Sequence, residues 1–260
     1  MEDMPIVTSE DGLFTSRPEI PAGPTRDDEM HAYFACPKGK ERLPGVLVVH
    51  EATGVTSQIE DVVRRFAKAG FAALAPNLYV KQAPPPADDA PTVLTALNLM
   101  DDKEAVDNLA SAADWLKHHQ RCNGKVGAVG FGVGGKLAML LAFSTDKLAS
   151  VVPFYGTLVN KSFPGMTPPP ANITKLSPMD LVEGLTVPLQ GHYAGKDRSI
   201  SPDEIRQIEQ QFKSASKNAE LFLYPDAEHA FCNDTRPAYL EASAKQAMTR
   251  ALDFLRRQLS

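Results

Sequence analysis

The sequence predicts an α/β fold: one domain with a mainly parallel central sheet and helices on both faces. Three observations carry this. Short apolar runs alternate with helical stretches from residue 45 to the end, the order that βαβ units require. Val46-Leu47-Val48-Val49 and Val126 to Val129 are apolar throughout, as strands buried on both faces are. A glycine-rich turn, Gly130-Phe131-Gly132-Val133-Gly134-Gly135, then joins the second of these strands directly to an apolar helical stretch.

Taken in order, residues 1–28 are polar and proline-rich and read as an N-terminal arm with one short strand; residues 29–260 read as the single domain. Met30 to Cys36 alternates and ends at Pro37, so it reads as a strand. Val46 to Val49 leads into His50-Glu51-Ala52-Thr53-Gly54. Ile59, Val62, Val63, Phe66 and Ala67 follow helical spacing up to the stop signal Gly70. Phe71 to Leu74 is the next strand. Lys81 to Pro91 is a proline-rich loop, and Thr92 to His119 is helical with a break near Asp101. Ala149 to Phe154 is a strand. Thr157 to Met179 carries five prolines and is a long excursion of the kind that is usually functional or mobile. Val187 to His192 is a strand, and Pro202 to Ala215 a helix with proline in its first turn. Leu221 to Leu223 is the last strand. Ala238 to Leu259 closes the chain, with Leu240, Ala244, Met248, Leu252 and Leu255 on one face. The sheet should hold about seven or eight strands.

At 260 residues the chain can bury a sizeable core, and 43% hydrophobic content is ordinary for a globular protein. A net charge of −5 with dispersed basic residues argues against nucleic acid or an anionic membrane as partner. Cys36, Cys122 and Cys232 lack C-x-x-C spacing, which argues against a disulfide framework or a zinc site and suits a reducing compartment. The start, MEDMPIVTSEDG, has no signal-peptide layout, and no run approaches the roughly 18 apolar residues of a membrane span. The expectations are a cytoplasmic protein, no cofactor, no metal, a small-molecule substrate or ligand as partner, and a monomer or weak homodimer.

Strand, sharp glycine turn and helix make the layout of a nucleophile elbow, G-x-[nucleophile]-x-G. Its centre is Gly132, which has no side chain to attack with. In open α/β sheets the chemistry gathers on loops after the strands' carboxyl ends. Besides the elbow, such loops here carry His50 and Glu51, then Asp197, then Asp226, Glu228 and His229. Elbow, acid, histidine is the chain order of a hydrolase triad. In that arrangement Asp197 orients His229, and His229 is the general base.

Five segments make the reading more specific: VVHEATGV; EDVVRRFAKAGF with ALAPNLY; VGFGVGGKLAM; HYAGKD; and YPDAEHAF. In order and spacing they resemble the dienelactone hydrolase family of the α/β-hydrolase superfamily, from about residue 45 to the end. That family carries a cysteine in the elbow, G-x-C-x-G-G, and opens a carboxylate-bearing unsaturated lactone. The resemblance implies catalytic roles for Glu51, Asp197 and His229, with Gly132 at the nucleophile position. It implies an oxyanion hole from the N–H groups of Ala52 and Val133. Lys81 falls where the family often has an arginine for the substrate carboxylate, and Asn233 where it has a second; Arg236 is nearby but out of register. Tyr155 and Phe154, at a strand end, are expected to line the pocket.

Blander readings stand beside these. The glycine run also satisfies G-x-G-x-x-G, but the following strand, SVVPFYG, ends without the acidic residue a dinucleotide site needs. His192 reads as structural, His118 and His119 as helix-end cations, Cys232 as a small buried residue, and Asp226 and Glu228 as loop-shaping. Glu51 could cap the next helix, though its place beside the elbow favours the pocket. Gly132 leaves three readings open: an engineered replacement of cysteine, a natural loss, or a pocket in which His229 activates water. The function expected is therefore a carboxylic ester or lactone hydrolase acting on small, carboxylate-bearing substrates, with activity absent or water-mediated. The alternative is a catalytically inactive small-molecule-binding or regulatory protein of the same fold.

Overall fold

The computed structural model describes residues 7–8, 12–25, 27–39, 41–80, 82–160 and 168–260. In chain order the elements are β1 (Val7–Thr8), β2 (Leu13–Ser16), β3 (Glu19–Ala22), β4 (Asp28–Pro37), β5 (Leu43–Val49), α1 (Ser57–Lys68) and β6 (Ala72–Pro76). Next come α2 (Ala90–Leu99), α3 (Asp102–His118), β7 (Cys122–Phe131), α4 (Val133–Ser144) and β8 (Ser150–Phe154). A 3-10 helix (Pro178–Gly184), β9 (Leu189–Ala194), α5 (Pro202–Ser214), β10 (Ala219–Tyr224) and α6 (Glu241–Leu259) complete the chain.

The sheet runs β1-β2-β4-β6-β5-β7-β8-β9-β10, with β3 paired to β4 off this path. β6, β5, β7, β8, β9 and β10 are mutually parallel; the N-terminal strands are antiparallel. The α/β class is as the sequence predicts. The strand number is not: the described residues hold ten. The difference lies in the N-terminal stretch, read as an arm with one strand. There β2 and β3 pair with β4 and bury Leu13 and Ile20. Each is only four residues long, and Arg17-Pro18 separates them, so neither shows a periodic run.

The central strands are buried on both faces, as β6, β8 and β9 are at every position. Helix α1 begins at Thr56, whose hydroxyl accepts from the Ile59 N–H (3.4 Å), and turns Ile59, Val62, Val63, Phe66 and Ala67 inward. The break near Asp101 is real: Asp101 caps α3 by accepting from the Glu104 N–H (2.9 Å). Helix α4 is buried from Gly134 to Phe143, with α3 and the 3-10 helix packed against it. A helix covered all round needs apolar residues on every side, and α4 has them everywhere except Lys136.

Chain order turns back at β5: β6 lies on one side of it and β7 on the other. This is the switch point at which the following loops diverge and leave a crevice. The loops after β5, β7, β8, β9 and β10 all open at that end of the sheet.

Candidate active site

The elbow is set by two kinds of glycine. Gly132, between β7 and α4, has φ +56° and ψ −121°, a backbone region that favours glycine. Gly134 sits so close to β5 that a Cβ on it would meet the Val49 carbonyl oxygen at 2.3 Å, so any side chain there would push α4 off the sheet. The Gly132 N–H bonds to the Phe154 carbonyl (3.0 Å), and its own carbonyl accepts from the Gly135 and Lys136 N–H groups. These bonds hold the turn without help from a side chain. Apart from its chain neighbours, a Cβ built on Gly132 would have one heavy atom of the described residues within 4 Å, Nε2 of His229 at 3.8 Å. The space where a nucleophile would stand is open and faces the imidazole.

His229 lies on the loop after β10 and is part-exposed. Its Nδ1 is 2.7 Å from Oδ2 of Asp197, whose side chain is 1% exposed. The Ser199 and Ile200 N–H groups donate to Oδ1 of the same carboxylate, at 2.7 and 3.2 Å. A carboxylate can only accept here, so Nδ1 carries a proton, and Nε2 lies on the side of Gly132. Elbow, His229 and Asp197, far apart in sequence, therefore meet as a base with its orienting acid beside an empty attack position.

Glu51, on the loop after β5, does not cap α1; Thr56 does that. Its Oε2 accepts from Nδ2 of Asn233 (2.7 Å) and its Oε1 from the Tyr155 hydroxyl (3.4 Å). Burial and the Glu51 charge hold the Tyr155 phenol well above its ordinary range, so it stays a donor. Tyr155 itself sits at φ +39° and lays its ring edge-on to His229 at 5.2 Å. It thus ties the carboxylate to the imidazole from below: expected to line the pocket, it is fully buried and is not part of the cleft's lining. Asn233, where the resemblance placed an anchor for substrate, is instead buried and bonded to Glu51. Phe154 is corrected too. It is fully buried, stacked on Phe131 (4.9 Å) and His192 (4.6 Å), and belongs to the core beneath the site. Arg236 is exposed and does not line the cleft. Lys81 lies outside the described residues.

The proposed oxyanion donors occupy suitable places. Val133 is the first residue of α4, and N–H groups in a helix's first turn lack partners within the helix. The Ala52 carbonyl accepts from the Tyr79 hydroxyl (2.5 Å) and the Glu51 carbonyl from His50 Nδ1 (2.6 Å), which fixes the loop on which the Ala52 N–H sits. His50 is structural. Its Nε2 accepts from the Leu78 N–H (3.1 Å), and burial pulls its pKa down to about 4. His192 is likewise buried, with Nδ1 on the Tyr224 hydroxyl (2.9 Å). Cys232 is no substitute nucleophile: burial and the charge of Glu51 push its thiol pKa well up, so it stays protonated. Asp226 is exposed and pairs with Lys196 at 3.1 Å, and Glu228 is exposed.

A cleft of about 250 Å³ opens beside the elbow. Gly132, Val133 and His229 form one part of its lining, and Asp102, Lys136 and Lys175 another. Lys136 Nζ is 2.5 Å from Asp102 Oδ2 and 3.0 Å from Asn160 Oδ1, with both charged side chains buried. The Leu176 N–H also donates to Asp102 (2.7 Å), and the Thr174 N–H to Asp101 (2.7 Å). So the end of the long excursion is clasped to the start of α3. Sequence reasoning passed over this pair. Its one available signal was a lone lysine inside an otherwise wholly apolar helix.

Residues 30–259 match the dienelactone hydrolase family. A candidate carboxymethylenebutenolidase of Salmonella typhi is 36% identical over 234 residues, 89% of this chain and 84% of that protein. A candidate 2-oxo-3-(5-oxofuran-2-ylidene)propanoate lactonase from Bradyrhizobium is 31% identical over 233 residues, 89% of this chain and 91% of that one. The crystal structure of a candidate dienelactone hydrolase from Klebsiella pneumoniae superposes with a TM-score of 0.85 at 32% identity, covering 95% of this chain and all of that one. Together with the elbow and the parallel sheet, these similarities make the fold that of an α/β-hydrolase and place the chain in the dienelactone hydrolase family of ester and lactone hydrolases.

Proposed function

We propose that the chain is a hydrolase of small, carboxylate-bearing lactones or esters in which His229 activates water at the position left open by Gly132. The observation that supports this most directly is the place of the missing Cβ: it would stand 3.8 Å from His229 Nε2, and among the described residues, apart from its chain neighbours, no other atom comes within 4 Å. A water in that space gives its proton to Nε2 as its oxygen attacks the substrate carbonyl. The Val133 and Ala52 N–H groups stabilise the oxyanion, and Asp197 stabilises the imidazolium. The imidazolium then protonates the departing alkoxide. A triad site stripped of its nucleophile retains about 10³-fold catalysis over water, so only an activated ester or lactone would turn over measurably. Glu51, held by Asn233 and Tyr155, sets the charge behind the attack position.

The competing reading is a silent binding protein that keeps the cleft. It rests on the same missing side chain at residue 132. The two are separated by assaying p-nitrophenyl acetate and a dienelactone with this protein, Gly132→Cys and His229→Ala. His229-dependent turnover in the unaltered chain is the expected result. Silence in the unaltered chain with activity in Gly132→Cys means that the machinery is intact and only the nucleophile is missing. Silence in both sinks the hydrolase reading.

A further inference from the structure

The sheet ends at β10, which pairs with β9 and, among the described residues, with nothing on its other side. The carbonyls of Asn218 and Tyr224 accept from the Leu189 and Gly195 N–H groups. Backbone groups alternate in direction along a strand. The even-numbered residues of β10 therefore face β9, and Ala219, Leu221 and Leu223 turn their peptide groups outward. A bare edge of this kind is a template for another strand, and monomeric proteins blunt it with proline, a bulge or charges. β10 holds no proline, and its pairing with β9 runs without a register shift. Leu223, on one face of this edge, is 45% exposed. Glu220, Phe222 and Tyr224 follow one another on the other face. There Arg250 of α6 lies over the Phe222 ring at 4.1 Å and donates to the Tyr224 hydroxyl (3.2 Å). Glu220 accepts from the side-chain amide of Gln190 (3.2 Å). Among the described residues neither Glu220 nor Arg250 has a partner of opposite charge.

We infer that β10 is the interface of a homodimer, formed when it pairs antiparallel with β10 of a second copy about a two-fold axis at Leu221. Only residues whose peptide groups point outward can exchange bonds. Leu221 thus pairs with its own copy, and Leu223 with Ala219 of the second chain, while every bond to β9 is kept. Leu221 and Leu223 of both chains then lie side by side on one face, which covers the exposed Leu223. On the other face Glu220 stands directly across from Phe222 of the second copy, beneath that copy's Arg250. Symmetry forms this ion pair twice. The neighbouring registers are worse. An axis at Glu220 sets two like charges together, and an axis at Phe222 sets Ala219 against Pro225, which has no N–H to give. The contact is isologous, so it closes at two chains and leaves no free end to grow. A six-residue strand buries less than a standard interface, so the dimer should be weak, with association at about micromolar concentration. The inference stands apart from the hydrolase reading.

The test is sedimentation velocity on the intact chain from about 1 to about 100 µM, the range in which a small interface associates. The sedimentation coefficient should climb from monomer to dimer across that range. Leu223→Lys puts a charge on the bare edge and should leave a monomer throughout. Glu220→Lys sets like charges against Arg250 at both ends and should weaken association about 10-fold or more. Adding Arg250→Glu restores opposite charges and should recover the dimer. If Arg250→Glu does not fold, Leu221→Cys takes its place. Paired Cα atoms on the axis stand about 5.5 Å apart, within disulfide reach, so mild oxidation should give a covalent dimer. A monomer at every concentration would overturn the interface. So would a dimer that persists in both Leu223→Lys and Glu220→Lys, because association would then lie elsewhere. A dimer lost in Leu223→Lys but indifferent to Glu220→Lys, with no cross-link in Leu221→Cys, would overturn the pairing about Leu221.

Discussion

At Gly132 backbone geometry and chemistry pull in opposite directions. The turn needs φ +56° and ψ −121°, a conformation that costs an L-residue about 1–3 kcal/mol. A nucleophile there must bear that strain, and glycine does not. Gly132→Cys should therefore lower unfolding free energy by about 1–3 kcal/mol, measured by urea denaturation, while raising esterase activity. Among the described residues there is room for the side chain, since apart from its chain neighbours the nearest atom to the new Cβ is His229 Nε2 at 3.8 Å. An active variant with unchanged stability would mean that the surrounding turn already sustains the strained conformation. Much of this site was legible in the sequence: the glycine run, Asp197 and His229 fall on successive strand-end loops, and topology alone brings such loops together. Asn233 was not. Its bond to Glu51 spans 182 positions, and no local pattern marks a side-chain amide as one half of a long-range contact. Phe154 and Tyr155 are neighbours, but Phe154 ends β8 while Tyr155 turns away at φ +39°, so one meets the core and the other Glu51.

Among the elements, α4 links core and cleft. Its apolar residues bury it against the sheet, and its one charged residue, Lys136, is held inside by Asp102 from the first turn of α3. A buried ion pair gives little net stability, but breaking it strands a charge, at a cost of about 3–5 kcal/mol. Lys136→Met should show that loss as a lower denaturant midpoint. Adding Asp102→Leu should restore most of it, because neither charge then remains buried alone. If the single variant is as stable as the parent, water reaches Asp102 and the pair is not sealed. Helix periodicity fixed α1 well, since its inward residues follow a 3.6 repeat between a cap and a glycine stop. It placed α6 less well. The expected face was Leu240, Ala244, Met248, Leu252 and Leu255; of these Ala244 and Leu255 are buried, and the rest of the buried set is Ala247, Ala251, Phe254 and Leu259. Small alanines are what allow close approach to the sheet, and hydrophobicity alone ranks them below leucine and methionine.

For the whole molecule, the imidazoles of His50 and His192 make stability depend on pH in a window that the carboxylates leave free. Burial lowers their folded pKa values from 6.5 to about 4 and about 3. The His50 bond to the Glu51 carbonyl offsets part of the first shift, and the charge of Arg250 adds to the second. Above pH 6.5 both rings are neutral whether the chain is folded or not, and neither contributes a slope. As pH falls below 6.5 the unfolded chain takes up both protons while the folded chain takes up neither, so stability declines. Each histidine contributes about 1.4 kcal/mol per pH unit, roughly 3 kcal/mol per unit for the two together. The decline from His50 ends near pH 4 and that from His192 near pH 3, where the folded rings protonate. Carboxylates with lowered values, such as Asp101, lose their contribution only as pH falls below their unfolded value of 3.8. The interval between pH 6.5 and about 5 therefore reports the histidines. Urea unfolding at pH 7, 6 and 5 should give a midpoint that drops steadily across it. A flat profile would mean that these two rings are protonated in the fold, which for His50 the N–H donated by Leu78 forbids. The scaffold beneath the site thus depends on neutral imidazoles.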